Sequence, residues 1–246
     1  MQGQLNFLDL MNERNNSMRL KENYKTPTDL HAHTVYSDGI YSIEKSLLKR
    51  QDIAKVLGVS DHYHYLSEDR WEEYIKEINY YKNKFNDHTI LVGLEIIFSD
   101  LKEYIHNIRF KDLDYLIIED FETISLVENF ETVIDSLISK FSGDIIMAHP
   151  NFPTWKLILG EKRLFQILTY LRDNEIAIEI NVNQGYFHGI GDDFSELMSD
   201  EDNIYVQLLN KTDSLLSIGT DAHGYEDVLF SRFKMTYDFL QGGINV

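Results

Sequence analysis

Cysteine is absent from this chain of 246 residues, which at once excludes disulfides, thiolate metal sites and cysteine nucleophiles. Any metal ion must be held by nitrogen and oxygen. Proline is scarce, at three residues, and no Gly/Pro/Ser-rich linker, internal repeat or low-complexity segment divides the sequence. A single large α/β domain is therefore expected rather than two smaller ones. No apolar run approaches the length of a membrane-spanning helix, so no membrane association is expected. Residues 1–26 carry Leu5, Phe7, Leu8, Leu10 and Met11 among polar residues, without the basic start and apolar block of a secretory leader. They read as an N-terminal extension to a domain over 27–246, and the expected location is cytoplasmic.

Positive charge is also in short supply: 23 Lys and Arg face 41 Asp and Glu, a formal charge of −18. Three bound divalent ions would reduce it only to about −12. Such a surface steers long polyanions away, so extended nucleic acid is not an expected partner. A small anion remains admissible, because the charge of a local metal cluster can still draw it in. The hydrophobic content of 43% is that of an ordinary globular domain with a substantial core.

Short apolar runs alternate with amphipathic segments. A run ending at Asp29-Leu30-His31 is followed by Ser42, a plausible N-cap, and by Ile43, Leu47, Ala54 and Leu57 on one helical face. Val56 to Ser60 leads to Asp61-His62, and a helix opening near Ser67 carries Trp71, Tyr74, Ile75, Ile78 and Phe85. Further runs end at Glu95, at Glu119, before His149, at Asn181 and before Asp221, with helical patterns between them. These seven runs are apolar almost throughout, as strands covered on both faces are, and their alternation with helices implies parallel connections. A closed or nearly closed (β/α) barrel follows, and in such barrels the loops after the strands converge on one rim.

Five histidines fall in four short patterns on that rim: His31-Ala32-His33, Asp61-His62, His149-Pro150 and Asp221-Ala222-His223, with Glu95 closing Val92-Gly93-Leu94. In an extended chain the period of two puts His31 and His33 on one side, a suitable bite for one ion. Taken singly, each pattern has a plainer reading: polar turn residues for the first, an Asp-Gly turn for Asp38, a helix cap for Asp61-His62, a core histidine for His149 and a surface carboxylate for Glu95. Their shared placement at successive strand ends decides for a metal site. His64 and His106 are further possible donors, whereas His88 and His188 read as loop residues.

In order and spacing, Asp29-Leu30-His31-Ala32-His33-Thr34 with Ser37-Asp38-Gly39, Ser60-Asp61-His62, Gly93-Leu94-Glu95, Ala148-His149-Pro150, Glu179-Ile180-Asn181 and Gly219-Thr220-Asp221-Ala222-His223 resemble the polymerase and histidinol phosphatase (PHP) family. The resemblance spans about residues 27 to 224. It implies a distorted seven-stranded, TIM-like (β/α) barrel, a PHP-like phosphoesterase domain over 27–246, and two or three divalent ions. It gives His31, His33, Glu95 and Asp221 to a first ion. Glu95 then bridges to a second that His149 also binds, and Asp38, His62 and His223 hold a third. One departure is plain. Where the family usually supplies another histidine to the second ion, after residues 114–118, this chain reads Glu119-Asp120-Phe121-Glu122. Either Glu119 or Asp120 takes the place of the imidazole, with Glu119 favoured as ligand. A carboxylate there favours manganese, iron or magnesium, with zinc the softer alternative.

The expected activity is hydrolysis of a small phosphomonoester by hydroxide activated at the metals, histidinol phosphate being one family substrate. The expected catalytic residues are Glu95 and Asp221 through the metals, with Asp61, His223 or a metal-bound water for the leaving-group proton. Lys156, Arg172 and Arg232 lie on the active side without an assigned role. Tyr63, Tyr65, Tyr186 and Phe187 either line a pocket for an aromatic substrate or pack the rim. Three other readings stay open. One is a phosphodiesterase or nuclease acting on short oligonucleotides or nucleotides. Another is an amidohydrolase, although Glu119-Asp120 stands where its metal-bridging lysine belongs. The last is a metal-stabilised interaction protein without catalysis.

Overall fold

The computed structural model describes residues 26–121, 130–183, 185, 203–224 and 227–241. Nearly all of the N-terminal extension, with Tyr186, Phe187 and His188, lies outside them. Among the described residues the chain alternates strand and helix as β1 Thr28–Asp29, α1 Ile43–Arg50, β2 Val56–Val59, α2 Glu68–Lys84, β3 Thr89–Val92, β4 Glu95–Ile97, α3 Phe98–Tyr104, β5 Tyr115–Glu119, α4 Phe130–Ile138, β6 Asp144–Met147, α5 Phe152–Asp173, β7 Ala177–Asn181, α6 Ile204–Thr212, β8 Leu216–Gly219 and α7 Asp227–Gln241.

Local chemistry sets these boundaries. Ser42 accepts the Lys45 N–H and caps α1, whose first turn holds Glu44 and whose last holds Lys49 and Arg50, in keeping with the helix dipole. On α2 the buried residues Trp71, Tyr74, Ile78 and Tyr81 recur at helical spacing and form one stripe. Asn151 caps α5, and Gly160, at φ 72°, breaks the helical path within it.

Every strand pairing is parallel, giving a mixed α/β fold with two sheets in the orders β1-β2-β3 and β4-β5-β6-β7-β8. The strand count differs from the seven expected, because the third run divides into β3 and β4 at Gly93-Leu94. A Cβ at Gly93 would fall 2.0 Å from the Tyr115 ring, so the chain can pass only as glycine. At the break the Gly93 N–H still bonds Val59 O on β2 at 2.8 Å, while Leu94 O accepts the Ile117 N–H of β5 at 2.8 Å. On either side of the break the chain bonds both neighbours, through Val92 O to the Asp114 N–H at 2.8 Å and through the Glu95 N–H to Asp61 O at 3.1 Å. Single bridges, Ala32 to Ala222 and His62 to Glu95, link residues just past the ends of β1 and β8 and of β2 with the start of β4.

Most of the core lies between strands and helices, with Leu57, Trp71, Ile96, Ile118, Phe130 and Leu168 among its buried members. A smaller cluster joins Leu30, Leu91, Tyr115, Ile117, Ile146 and Ala177, which come from both sheets. Tyr115 crosses it to donate to Leu30 O at 2.5 Å. Beneath the strand ends Arg50 is buried against Asp29 at 3.1 Å and donates to Gly58 O at 2.7 Å. Asp29 also accepts the Thr220 N–H at 3.0 Å and its hydroxyl at 2.8 Å, which ties β1 to the end of β8.

Candidate metal centre

Parallel order puts the C-terminal strand ends together, and the acidic and imidazole side chains arrive from there. His31 and His33 follow β1, and the chain stays strand-like because the His33 N–H bonds Ala222 O at 2.9 Å. His62 follows β2, Glu95 opens β4, Glu119 closes β5, His149 follows β6, and Asp221 and His223 follow β8. Asp38 sits in a turn held from below by Asp61. That carboxylate accepts the Thr34 N–H and hydroxyl, each at 2.7 Å, and the Ser37 hydroxyl at 2.5 Å.

Glu95 is the hub. Its Oε1 lies 3.1 Å from His31 Nε2 and 3.5 Å from His149 Nε2, and its Oε2 lies 3.0 Å from His33 Nε2 and 3.3 Å from His62 Nδ1. Asp221 Oδ1 is 3.5 Å from His31 Nε2 and 3.3 Å from His33 Nε2. On the solvent side Asp38 Oδ2 is 3.5 Å from His62 Nε2 and 3.3 Å from His223 Nε2. Glu119 Oε1 is 3.2 Å from His62 Nδ1. Donor atoms thus gather into four groups, each compact enough to hold a metal ion: His31, His33 and Asp221; His31, Glu95 and His149; His62, Glu95 and Glu119; His33, Asp38, His62 and His223.

The donor set fits a cation on a second ground. Both Glu95 oxygens and His62 Nδ1 are buried without a hydrogen-bond partner, three of only five such side-chain atoms among the described residues. The imidazole nitrogens stand at ion-pair distance from these oxygens. Buried polar atoms left so are costly, by about 1–3 kcal/mol each, unless something else satisfies them. His31 Nε2 and His33 Nε2 also face one another at 3.1 Å, a separation natural for two lone pairs converging on one ion.

Electrostatics repeat the message. Burial disfavours a charged His31, but Glu179, Glu95 and Asp221 outweigh it and hold its pKa well above the usual value. His33 is likewise buried, and Glu95 and Asp221 raise it to about 10. His149, against burial, is raised by Glu95 to about 9. Burial would raise Glu95 and Asp221, yet the surrounding imidazoles hold both well below the usual carboxylate range. Without metal the pocket draws in protons as its positive charge, and divalent ions would compete for the same places.

The sequence matches no family model and no curated protein.

Two further residues shape the cluster and were not assigned a role from sequence. Glu179, buried on β7, accepts His31 Nδ1–H on Oε1 at 2.6 Å and the His149 N–H on Oε2 at 2.9 Å. Gly219 leaves room for it, since a Cβ there would meet Glu179 Oε1 at 1.9 Å. The signal was present: Glu179 and Asn181 sit two apart in an otherwise apolar strand, so both face the same way. Backbone strain also gathers here, with His149 at φ 27° and Asp221 at φ 49°, in the left-handed region that such residues rarely adopt.

Among the residues expected from sequence, His31, His33, Asp38, His62, Glu95, Glu119, His149, Asp221 and His223 come together. Two expectations change. Asp61 is fully buried and both its oxygens accept bonds from Thr34 and Ser37, so it positions the Asp38 turn and is not free to carry a leaving-group proton. Glu119, expected beside His149, stands with His62 instead, while Asp120 is exposed at φ 52°. The strand ends at Glu119, and the left-handed turn at Asp120 carries the next carboxylate out to solvent.

His64 is exposed and rests against the His62 ring with centroids 5.3 Å apart, outside the four groups. His106 is exposed just beyond α3, and His88 bonds Gln51 O at 2.8 Å, the loop role expected of it. Arg232 donates to Val182 O at 3.3 Å, and Arg172 pairs with Asp173.

Proposed function

We propose that the cluster holds two or three divalent ions and that the protein hydrolyses a small phosphomonoester. The ions supply, when bound, an activated water and neutralisation of phosphoryl charge. His31, His33 and Asp221 would hold one ion together with Glu95, His149 would serve a second with the same carboxylate, and Asp38, His62 and His223 a third. Glu119 adds an oxygen beside His62, which inclines the set toward manganese, iron or magnesium over zinc. The observation that carries the metal assignment is Glu95, whose two buried oxygens face four imidazoles with no hydrogen bond to either oxygen.

The ester assignment rests on the ordered motifs from His31 to His223 and on their resemblance to PHP phosphoesterases. We read the two sheets accordingly as parts of one distorted (β/α) barrel. In support, residues of both sheets share the cluster around Tyr115, and single bridges join the sheets at Ala32–Ala222 and His62–Glu95. Asp38 and His223, 38% and 37% exposed, mark the mouth through which substrate enters. His223 Nδ1 is engaged by Asp221 O at 2.9 Å, which turns Nε2 toward the opening. With Asp61 committed elsewhere and Nε2 of His223 given to the third ion, no side chain of the cluster is assigned the leaving-group proton. The charge of −18 excludes a long polyanion from this role more firmly than it excludes a small one.

The test is metal quantification on gently purified protein, followed by turnover of histidinol phosphate, an aryl phosphate, its diester and short single-stranded oligonucleotides with manganese, zinc, iron and magnesium. Hydrolysis of monoesters that is abolished by chelation is the expected result. Turnover of diesters alone would replace the monoester reading with the phosphodiesterase one. Full metal loading without turnover of any ester would leave a metal-stabilised interaction protein.

A further inference from the structure

We infer that Glu179 is a positioning residue that keeps two metal-ligand histidines ready for ions without itself ligating one. The inference rests on the metal reading above and extends it to a side chain outside all four donor groups. Three donors converge on this buried carboxylate: His31 Nδ1 at 2.6 Å on Oε1, and the His149 N–H at 2.9 Å and Asn181 Nδ2 at 3.0 Å on Oε2.

Each bond has a separate consequence. A proton held on His31 Nδ1 leaves Nε2 as a lone pair, and Nε2 is the atom that faces Glu95 Oε1 at 3.1 Å and Asp221 Oδ1 at 3.5 Å. Fixing the tautomer of a ligand imidazole through its other nitrogen is a general device of metal sites. The second bond acts on backbone. His149 sits at φ 27°, a conformation that costs about 1–3 kcal/mol and persists only when its surroundings hold it. Glu179 Oε2 holds its amide, and the imidazole then reaches Glu95 Oε1 from the other side. One carboxylate thereby sets both histidines that flank Oε1 of the hub. Gly219 completes the device, because any side chain there would push Glu179 away.

Only an acceptor on both oxygens can serve both histidines. In Glu179→Gln one of the two positions becomes an amide donor. Facing His31 it would donate to Nδ1 and send the ring proton to Nε2; facing His149 it would meet another N–H. Gly219→Ala leaves the charge of Glu179 unchanged and acts on the Glu179–His31 pair together, since an added methyl would crowd the carboxylate and His31 Cβ alike. The experiment measures manganese content and manganese affinity of the wild-type chain, Glu179→Gln and Gly219→Ala. It also reads imidazole ¹⁵N shifts of the proteins loaded with diamagnetic zinc, which displaces the second ring proton that His31 holds in the metal-free pocket, with circular dichroism and thermal unfolding to establish that each is folded.

Affinity for the first ions is expected to fall roughly 10- to 100-fold in both variants, the range for partners of ligand histidines. The His31 ring proton is expected on Nδ1 in the wild type and on Nε2, or mixed, in Glu179→Gln. Unchanged affinity and an unchanged tautomer in folded variants would overturn the inference. Because the readouts are binding and tautomer, a wild-type protein that binds manganese but cleaves no ester would defeat the proposed activity and leave this inference standing. A wild-type protein that takes up no metal would defeat both.

Discussion

Two buried polar clusters lie close together in this protein and differ in one respect. Around Asp29, Arg50 and Thr220 the charged groups have partners: Arg50 bonds Asp29 and Gly58 O, and both Asp29 oxygens accept from Thr220. Around Glu95 the charged groups are just as buried, yet both carboxylate oxygens lack a hydrogen bond. The first cluster is closed and holds strands together; the second is open to something the chain does not supply. Burial of charge alone therefore does not mark a site, whereas buried carboxylate oxygens that the fold leaves without a hydrogen bond do.

The largest effect expected from breaking this contrast is on stability, at the closed cluster. Arg50→Ala strands the Asp29 carboxylate in the interior and is expected to cost about 3–5 kcal/mol in denaturant unfolding. The ions bound per folded chain should stay the same. Loss of metal at unchanged stability would mean that the two clusters are not separable in function. At the open cluster the effect is reversed in kind. Glu95→Gln removes the hub and should weaken metal binding, and any ester hydrolysis, by more than about 100-fold, beyond what an outer partner of a ligand contributes. Calorimetric titration with manganese checks this, and near-normal affinity would remove Glu95 from the centre.

Much of the open cluster was legible in the chain. His31, His33, His62, His149, Asp221 and His223 all close strand-like runs, and parallel strands must deliver such residues to one place. What was not legible depends on which way a residue turns or on what stands across from it. Asp61 and His62 are adjacent in extended chain, so one faces the ions and the other the Thr34 turn; nothing in the dipeptide says which. Glu119 met His62 and not His149 because strand register, not order along the chain, sets its neighbours. The need for glycine at 58 and 93 required knowledge of Tyr115, which lies more than twenty residues further on and fills the space beside both.

That packing gives a smaller prediction, which sharpens the role of the closed interior. Gly93→Ala drives a methyl into the Tyr115 ring and should destabilise by about 1–3 kcal/mol, the usual range for overpacking. In a Tyr115→Leu background the same change should cost less, with a coupling of at least about 0.5 kcal/mol in a double-mutant cycle. Additive costs would show that Gly93 is required for its backbone and not for the neighbour it admits.

The subtlest expected signal is a change in the sign of a slope. In metal-free protein His33 and His149 are raised to about 10 and about 9, above the unfolded value of about 6.5. The folded state then binds protons more tightly than the unfolded one. Their stabilisation is complete below about pH 6.5 and is lost as pH climbs from there toward 9 and 10. Glu95 and Asp221 are lowered, so their contribution is present above about pH 4 and is lost on further acidification. Between pH 6.5 and 9 the chelated protein should accordingly become less stable. Manganese must displace those protons, so the loaded protein should gain stability over the same interval, and the gap between the two should widen with pH. Denaturant unfolding at pH 6.5, 7.5 and 9, with chelator or with excess manganese, reads both slopes. A chelated protein that grows more stable toward pH 9 would mean that the imidazoles do not carry protons there, and that the open cluster balances its carboxylates by some other means.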